Sequence, residues 1–319
     1  MNEPEKKRRA VIDVGTNSVK LLVADVLGGL VQPIFEDSEQ TRLGRGFYET
    51  HELQSDAIKN TADAVRKFAG AARDFQSETI RVIATSAARD AKNSSVLTAA
   101  IEQASGLKAE IISGEQEADW AFRGVTSNPT FALQSLLILD VGGGSTEFIL
   151  GSGGRKDFCR SVPMGSVRLM GKIPHSDPPT ANELNQCRRW LREFLGREVQ
   201  PELEPSLHRK NKSGDKTVQL IGTGGTASIL ARMELKLDEF DRDRIEGVRL
   251  TREQILAHMN RLWSLQLEER KKIIGLPPKR ADVILTGVAI YEAVMEKFNF
   301  DELRVSTRGL RFAAVMEGK

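Results

Sequence analysis

Apolar and polar positions alternate between two periods along this chain. AVIDVGTNSVKLLVADV (10–26) places two apolar runs around a short polar turn, and LLILDVGGGSTEFILG (136–151) does the same around three glycines. Each predicts a pair of buried strands joined at a turn. DAIKNTADAVRKFAGAARDF (56–75) instead repeats its apolar residues at helical spacing. TIRVIATSAARDAKN (79–93) reads as a strand entering a loop and helix, and 108–112 as a further strand. SGEQEADWAF opens a helix at 113, with Ser113 and Gln116 spaced as a capping box. Residues 180–199 read as helix and 201–216 (PELEPSLHRKNKSGDK) as a mobile loop. Residues 218–235 read as strand, glycine turn and helix; helices are expected at 251–269, at 282–297 and from about 309, with a strand near 303–306. Strands alternating with helices predict an α/β fold.

An internal repeat organises these elements. AVIDVGTNSVK and LILDVGGGSTE align as three apolar residues, then D-V-G-x-x-S-x and a charge, so that Asp13 matches Asp140, Gly15 matches Gly142 and Ser18 matches Ser145. At 319 residues the chain is long enough for two domains, and the copies stand about one domain length apart. A duplicated domain is expected, with one such loop from each half facing a shared cleft. The expected boundaries are 1–130 and 131–319, with the final helix a candidate to pack back on the first half.

Composition narrows the function. Lys plus Arg number 46 against 44 Asp plus Glu, so no global field favours nucleic acid or a membrane surface. The two cysteines, Cys159 and Cys187, have neither zinc-site nor disulfide-framework spacing. The N-terminal MNEPEKKRRAVIDVG meets Asp13 too soon for a signal sequence or a span, so a frayed tail and a cytoplasmic protein are expected.

The turns carry the candidate chemistry. Gly142, Gly143, Gly144, Ser145 and Thr146, like Thr16, Asn17 and Ser18, are suited to aim backbone N–H groups at an anion, since glycine leaves no Cβ in the way. Asp13, Asp140 and Glu147 beside a phosphate call for a cation, and Mg²⁺ takes one or two carboxylates with phosphate oxygens and water. GTGGTA (222–227) matches a dinucleotide fingerprint, but its acidic partner, Asp241, lies in no strand; a glycine turn near a ligand, through Gly224 and Gly225, is the better reading. Glu115 and Glu117 fall in a first helical turn, where the dipole favours carboxylates in any case. They point to nearly opposite sides, and these residues alone do not choose between them.

In combination AVIDVGTNSVKLLV, RLGRG, IRVIATSAARDAKN, IISGEQEA, LLILDVGGGSTEFILG, VPMGSVRL, HSDPPT, LIGTGGTAS, RADVILTGVAIYEA and VSTRGLR resemble the exopolyphosphatase/guanosine pentaphosphate phosphohydrolase (Ppx/GppA) family, over nearly the whole chain. The resemblance implies a duplicated actin-like, ribonuclease H-like ATPase fold of the sugar kinase, Hsp70 and actin superfold. It implies Mg²⁺-dependent hydrolysis of terminal phosphoanhydrides of inorganic polyphosphate or pppGpp, with Mn²⁺ as an alternative metal, and a homodimer. It places the base on Glu117, phosphate contacts on Lys20 and Arg89 besides the two loops, and metal ligands on Asp140 and Glu147; Asp13, from the loop reading above, is the further candidate ligand. The chain resembles the short form without an HD-like C-terminal domain, which favours short polyphosphate. Arg42, Arg45, Lys92, Arg168, Arg308 and Arg311 are candidates for a basic path along a polyanion. Competing readings are an ATP-dependent small-molecule or sugar kinase of the same superfold and a non-hydrolysing sensor of (p)ppGpp or nucleotide.

Overall fold

The computed structural model describes residues 5–212 and 217–317; residues 1–4 of the expected tail and 213–216 of the expected loop lie outside them. Eleven strands are described: β1 Lys7–Val14, β2 Ser18–Leu27, β3 Leu30–Gln40, β4 Thr79–Ala84, β5 Ala109–Ile111, β6 Leu136–Val141, β7 Thr146–Ser152, β8 Arg155–Val162, β9 Gln219–Thr223, β10 Arg249–Thr251 and β11 Glu302–Val305. The chain divides into two units, Met1–Ser127 with Leu310–Lys319, and Asn128–Gly309.

The first unit holds a five-stranded sheet in the order β3-β2-β1-β4-β5, and the second a six-stranded sheet in the order β10-β11-β9-β6-β7-β8. In the first, β1–β2 and β2–β3 pair antiparallel while β1–β4 and β4–β5 pair parallel. The second repeats this sense strand for strand: β6–β7 and β7–β8 antiparallel, β6–β9 and β9–β11 parallel, with β10 added antiparallel to β11. The duplication read from two short motifs thus extends through both sheets. The result is a duplicated α/β fold with two mixed sheets.

Burial on both faces explains why the central strands read as unbroken apolar runs. In the first unit Ala10, Ile12 and Val14 pack with Ala57, Val65 and Phe68 of the helix Ser55–Asp74. The opposite face, Val11 and Leu22, packs with Trp120 and with Phe312, Ala314 and Val315 of the final helix Leu310–Glu317. In the second unit all six residues of β6 are buried.

Two sequence expectations change. Residues 201–212 are not loop: they belong to the helix Gln200–Lys212. Leu203 and Leu207, four apart, are buried against the second core, and this apolar stripe outweighs the turn-forming composition. At the start of the helix Gly114–Thr126, Ser113 accepts a hydrogen bond from the Gln116 amide, but the return bond that would complete the capping box is absent among the described residues. No helix among the described residues is long and apolar enough to cross a membrane.

The final helix is fastened through one carboxylate. Glu317 accepts from Trp120 Nε1 at 2.9 Å and from Arg123 Nη1, and Arg81 Nη1 lies 3.4 Å from it. Arg81 also stacks on the Trp120 ring. Burial pushes the Glu317 carboxyl up, but the bonds from Trp120, Arg123 and Arg81 together hold it below its ordinary value. A carboxyl with a depressed folded value stabilises above the unfolded value, and that contribution is lost as pH falls through the folded one. Glu317→Ala is therefore expected to cost about 1–3 kcal/mol near neutral pH. Urea unfolding should show the gap to the parent protein closing in acid; a gap independent of pH would contradict the assignment.

Candidate active site

In each unit the motif residues gather at the carboxyl ends of the parallel strands, where open α/β sheets place their ligands. In the second unit these are the turn after β6, the glycines after β9 and the segment after β11. In the first they are the turn after β1, the helix Ser86–Asp90 after β4 and the helix Gly114–Thr126 after β5.

The glycine loop of the second unit is held by its carbonyls. Gly142 O accepts from the Ser166 amide at 2.9 Å, and Gly143 O from the amides of Val167 and Arg168 at 2.8 and 3.0 Å. Gly144 O accepts from Arg168 Nε at 2.7 Å. Three successive carbonyls therefore turn toward the segment that follows β8. Gly165 permits the approach: a Cβ there would lie 2.4–2.5 Å from atoms of the Gly143–Gly144 peptide. Thr286 Oγ1 donates to Ser166 O at 2.7 Å and ties this strap to the helix Ile284–Lys297.

The first unit repeats the device. Thr16 O accepts from the Gly44 amide at 2.7 Å, and Asn17 O from the amides of Thr41 and Arg42 at 3.2 and 3.0 Å, all from the chain following β3. Across each turn a glycine amide donates to the serine carbonyl, Gly15 to Ser18 and Gly142 to Ser145, both at 3.0 Å. RLGRG and VPMGSVRL are thus equivalent straps, a relation that emerges only once both hairpins are aligned in space.

The hairpins differ in charge. Asp140 stands opposite Glu147 in the β6–β7 register, whereas Asp13 stands opposite Lys20 in β1–β2. Directly opposed residues share a sheet face. Glu147 is buried and its Oε1 accepts from Ser161 Oγ at 2.7 Å. Asp140 lies against Gly224 (φ +84°), where a Cβ would come within 2.4 Å of Asp140 Oδ1. Asp13 Oδ1 is buried with no hydrogen-bond partner among the described residues. Burial pushes its carboxyl above the ordinary value, against the pull of Lys20 and Arg311.

Glu117, 7% exposed, accepts from Arg89 Nη1 at 3.0 Å, and the same nitrogen donates to Ile112 O at 3.1 Å. Glu115, two residues earlier on the helix, is exposed. The Thr85 amide, one residue before the helix that carries Arg89, donates to Val14 O at the base of the first loop, at 3.2 Å. Among the described residues no three His, Cys, Asp or Glu side chains gather as a metal-holding group. The Asp140–Glu147 pair does fit Mg²⁺, which needs one or two carboxylates.

The basic residues proposed for a path have diverse surroundings. Arg45 pairs with Asp56 on the surface. Arg311 donates to Leu21 O at 2.8 Å and pairs with Glu36. The Lys92 amide donates to His51 O, and the Arg42 amide is part of the first strap. Burial lowers the Arg308 guanidinium against the pull of Glu246. Arg280, by contrast, was missed: its Nη2 lies 2.9 Å from where a Cβ of Gly225 would stand, at the start of the helix Gly224–Leu235. RADVILTG was read only as a family motif, and nothing in its residues signalled proximity to that turn.

Two stability predictions follow from this geometry. Gly165→Ala overpacks a backbone that cannot rotate aside, and should cost about 3 kcal/mol in urea unfolding; an unchanged midpoint would show that the strap yields. For Asp13, the raised folded value means that its contribution to folding is full below the unfolded value and lost as pH rises through the folded one. Asp13→Asn should accordingly stabilise the metal-free protein by about 1 kcal/mol near pH 7, and not at pH 3. A variant less stable than the parent at pH 7 in EDTA would refute this.

The model of the Ppx/GppA phosphatase family matches residues 22–317. The chain is 33% identical over 312 residues, covering 94% of each chain, to a Mycobacterium tuberculosis protein named exopolyphosphatase 2. It is 29% identical over 309 residues to the guanosine-5'-triphosphate,3'-diphosphate pyrophosphatase of Vibrio cholerae, covering 97% of this chain and 58% of that one. The crystal structure of the Aquifex aeolicus Ppx/GppA family member matches with a TM-score of 0.77 at 30% identity, over 98% of this chain and 97% of that one. With its matched glycine and hydroxyl loops on a duplicated fold, the chain belongs to the Ppx/GppA phosphatase family.

Proposed function

We propose that this protein is an exopolyphosphatase, releasing the terminal phosphate of inorganic polyphosphate, with the 5'-terminal phosphoanhydride of pppGpp as a second substrate. The observation that carries this reading is the buried Glu117 carboxylate, oriented by Arg89 in the unit that also holds the Asp13–Lys20 hairpin. The names of the mycobacterial and Vibrio relatives support the two substrate classes.

In the proposed reaction the second unit offers phosphate oxygens the amides of Gly143–Thr146 and the turn at Gly224 and Gly225, and the first offers those of Thr16–Ser18 with Lys20. Glu117 accepts a proton from water as its oxygen bonds to the terminal phosphorus. The P–O bond to the penultimate phosphate breaks, and the electron pair leaves on the shortened chain. Catalysis of this kind is mostly positioning and charge stabilisation. Asp140 and Glu147 would hold Mg²⁺ or Mn²⁺, with Asp13 as a further carboxylate; the ion would supply neutralisation of phosphate charge. The orphaned Asp13 Oδ1 and the missing Cβ at Gly224 support a cation at these carboxylates.

One assay tests the proposal. Phosphate release from triphosphate, long polyphosphate, pppGpp and ATP is measured with Mg²⁺ and with EDTA. Acceptor-independent release from polyphosphate is expected, lost in EDTA, and reduced about 10²–10⁴-fold in Glu117→Gln with binding retained. Release that requires an acceptor would favour the kinase reading, tight binding of (p)ppGpp without turnover the sensor reading, and near-normal Glu117→Gln turnover would remove Glu117 as base.

A further inference from the structure

We propose that Arg168 is a positioning residue for the terminal phosphate, acting through the Gly144–Ser145 peptide rather than along the polyanion path; this rests on the phosphohydrolase reading above. The backbone of residues 166–168 holds the first two loop carbonyls through amides, and the third, Gly144 O, is held by the Arg168 side chain at 2.7 Å. At the equivalent position of the first unit, Asn17 O is held by two neutral backbone amides. The second unit has thus replaced neutral donors with a cation at one carbonyl.

The replacement has an electronic consequence. A charge-assisted bond to a peptide oxygen is shorter and stronger than a neutral one, and it draws density from the amide nitrogen of the same peptide group. That nitrogen belongs to Ser145, the residue matched to Ser18 in the duplicated motif. Arg168 therefore both fixes the plane of the Gly144–Ser145 peptide and makes the Ser145 N–H a better donor to an anion. Its stem is set by the strap, whose Ser166 carbonyl is anchored on Thr286 Oγ1. A lysine keeps the charge but has no planar fork with a donor at the Nε position, so it restores the field and not the bond.

A path residue and a peptide-holding residue differ in how their loss depends on substrate length. A cation that follows the chain matters more as the chain lengthens. One that orders the terminal-phosphate loop acts equally on every substrate with that terminus.

The test compares the parent protein with Arg168→Lys and with Arg168→Gln, which is neutral yet keeps an amide donor. The readouts are kcat/KM on inorganic triphosphate and on long polyphosphate with Mg²⁺, and the Ser145 amide proton shift by NMR without substrate. Arg168→Lys should lose about 10-fold in kcat/KM, equally on both substrates, with the Ser145 proton moved upfield and the urea midpoint near that of the parent. Arg168→Gln should lose at least as much, which keeps the idea testable if one variant folds poorly. A loss that grows with chain length, or an unmoved Ser145 proton with unchanged kinetics, overturns the proposal. A parent protein inactive on both substrates overturns the phosphohydrolase reading instead, and the Ser145 shift still decides whether Arg168 holds the peptide.

Discussion

Much of this molecule depends on where two short loops turn their carbonyl oxygens. A hairpin turn ordinarily closes on itself, bonding its own amides to its own carbonyls. Here the carbonyls of Thr16 and Asn17, and of Gly142, Gly143 and Gly144, are taken by the chain that follows the third strand of each sheet. That chain must therefore return beneath the loop, which the antiparallel runs β1-β2-β3 and β6-β7-β8 accomplish. It must also approach closely, which explains Gly165 beneath the Gly143–Gly144 peptide. The meander and the close strap are consequences of one requirement, that the loop carbonyls be bonded from outside the turn.

Once the loops are open, the charges beside them set how the two units differ. Matching hairpins carry Asp13 opposite Lys20 in one unit and Asp140 opposite Glu147 in the other. The first pair contains its own cation; the second sets two carboxylates on one sheet face. Under the proposed function, the carboxylates of the second hairpin would hold the metal ion, and Lys20 of the first would contact phosphate directly.

Local patterns were legible in the sequence and distant relations were not. The central strands β1, β2, β6 and β7 and the helix Ser55–Asp74 followed from periodicity, and the D-V-G repeat disclosed a duplication that the strand orders repeat throughout. β3 and β8 drew no prediction: edge strands with only partial burial carry EDSEQ and RKDFCRS, which lack a clean alternation. The helix Gln200–Lys212 was hidden by Pro205 and a run of polar residues, because its Leu203–Leu207 stripe is only two residues wide. Among site residues, periodicity offered no choice between Glu115 and Glu117. That distinction depends on which helix face meets Arg89, a contact 28 positions away in sequence. The straps and Arg280 stayed invisible for the same reason, since each acts on a loop far from it in the chain.

The helix Gly114–Thr126 joins the two ends of this chain of cause. Its first turn presents Glu117 beside Arg89, where the helix dipole favours a carboxylate. Its later turns present Trp120 and Arg123 to Glu317 of the final helix. The apolar residues of that final helix, Phe312, Ala314 and Val315, fill the face of the first sheet on which Trp120 also packs. A helix free to slide by a fraction of a turn would move Glu117 off Arg89, so the precision demanded at one end is supplied by packing at the other. The helix Leu310–Glu317, which starts within the VSTRGLR segment, thereby helps to hold the carboxylate on which the proposed chemistry depends.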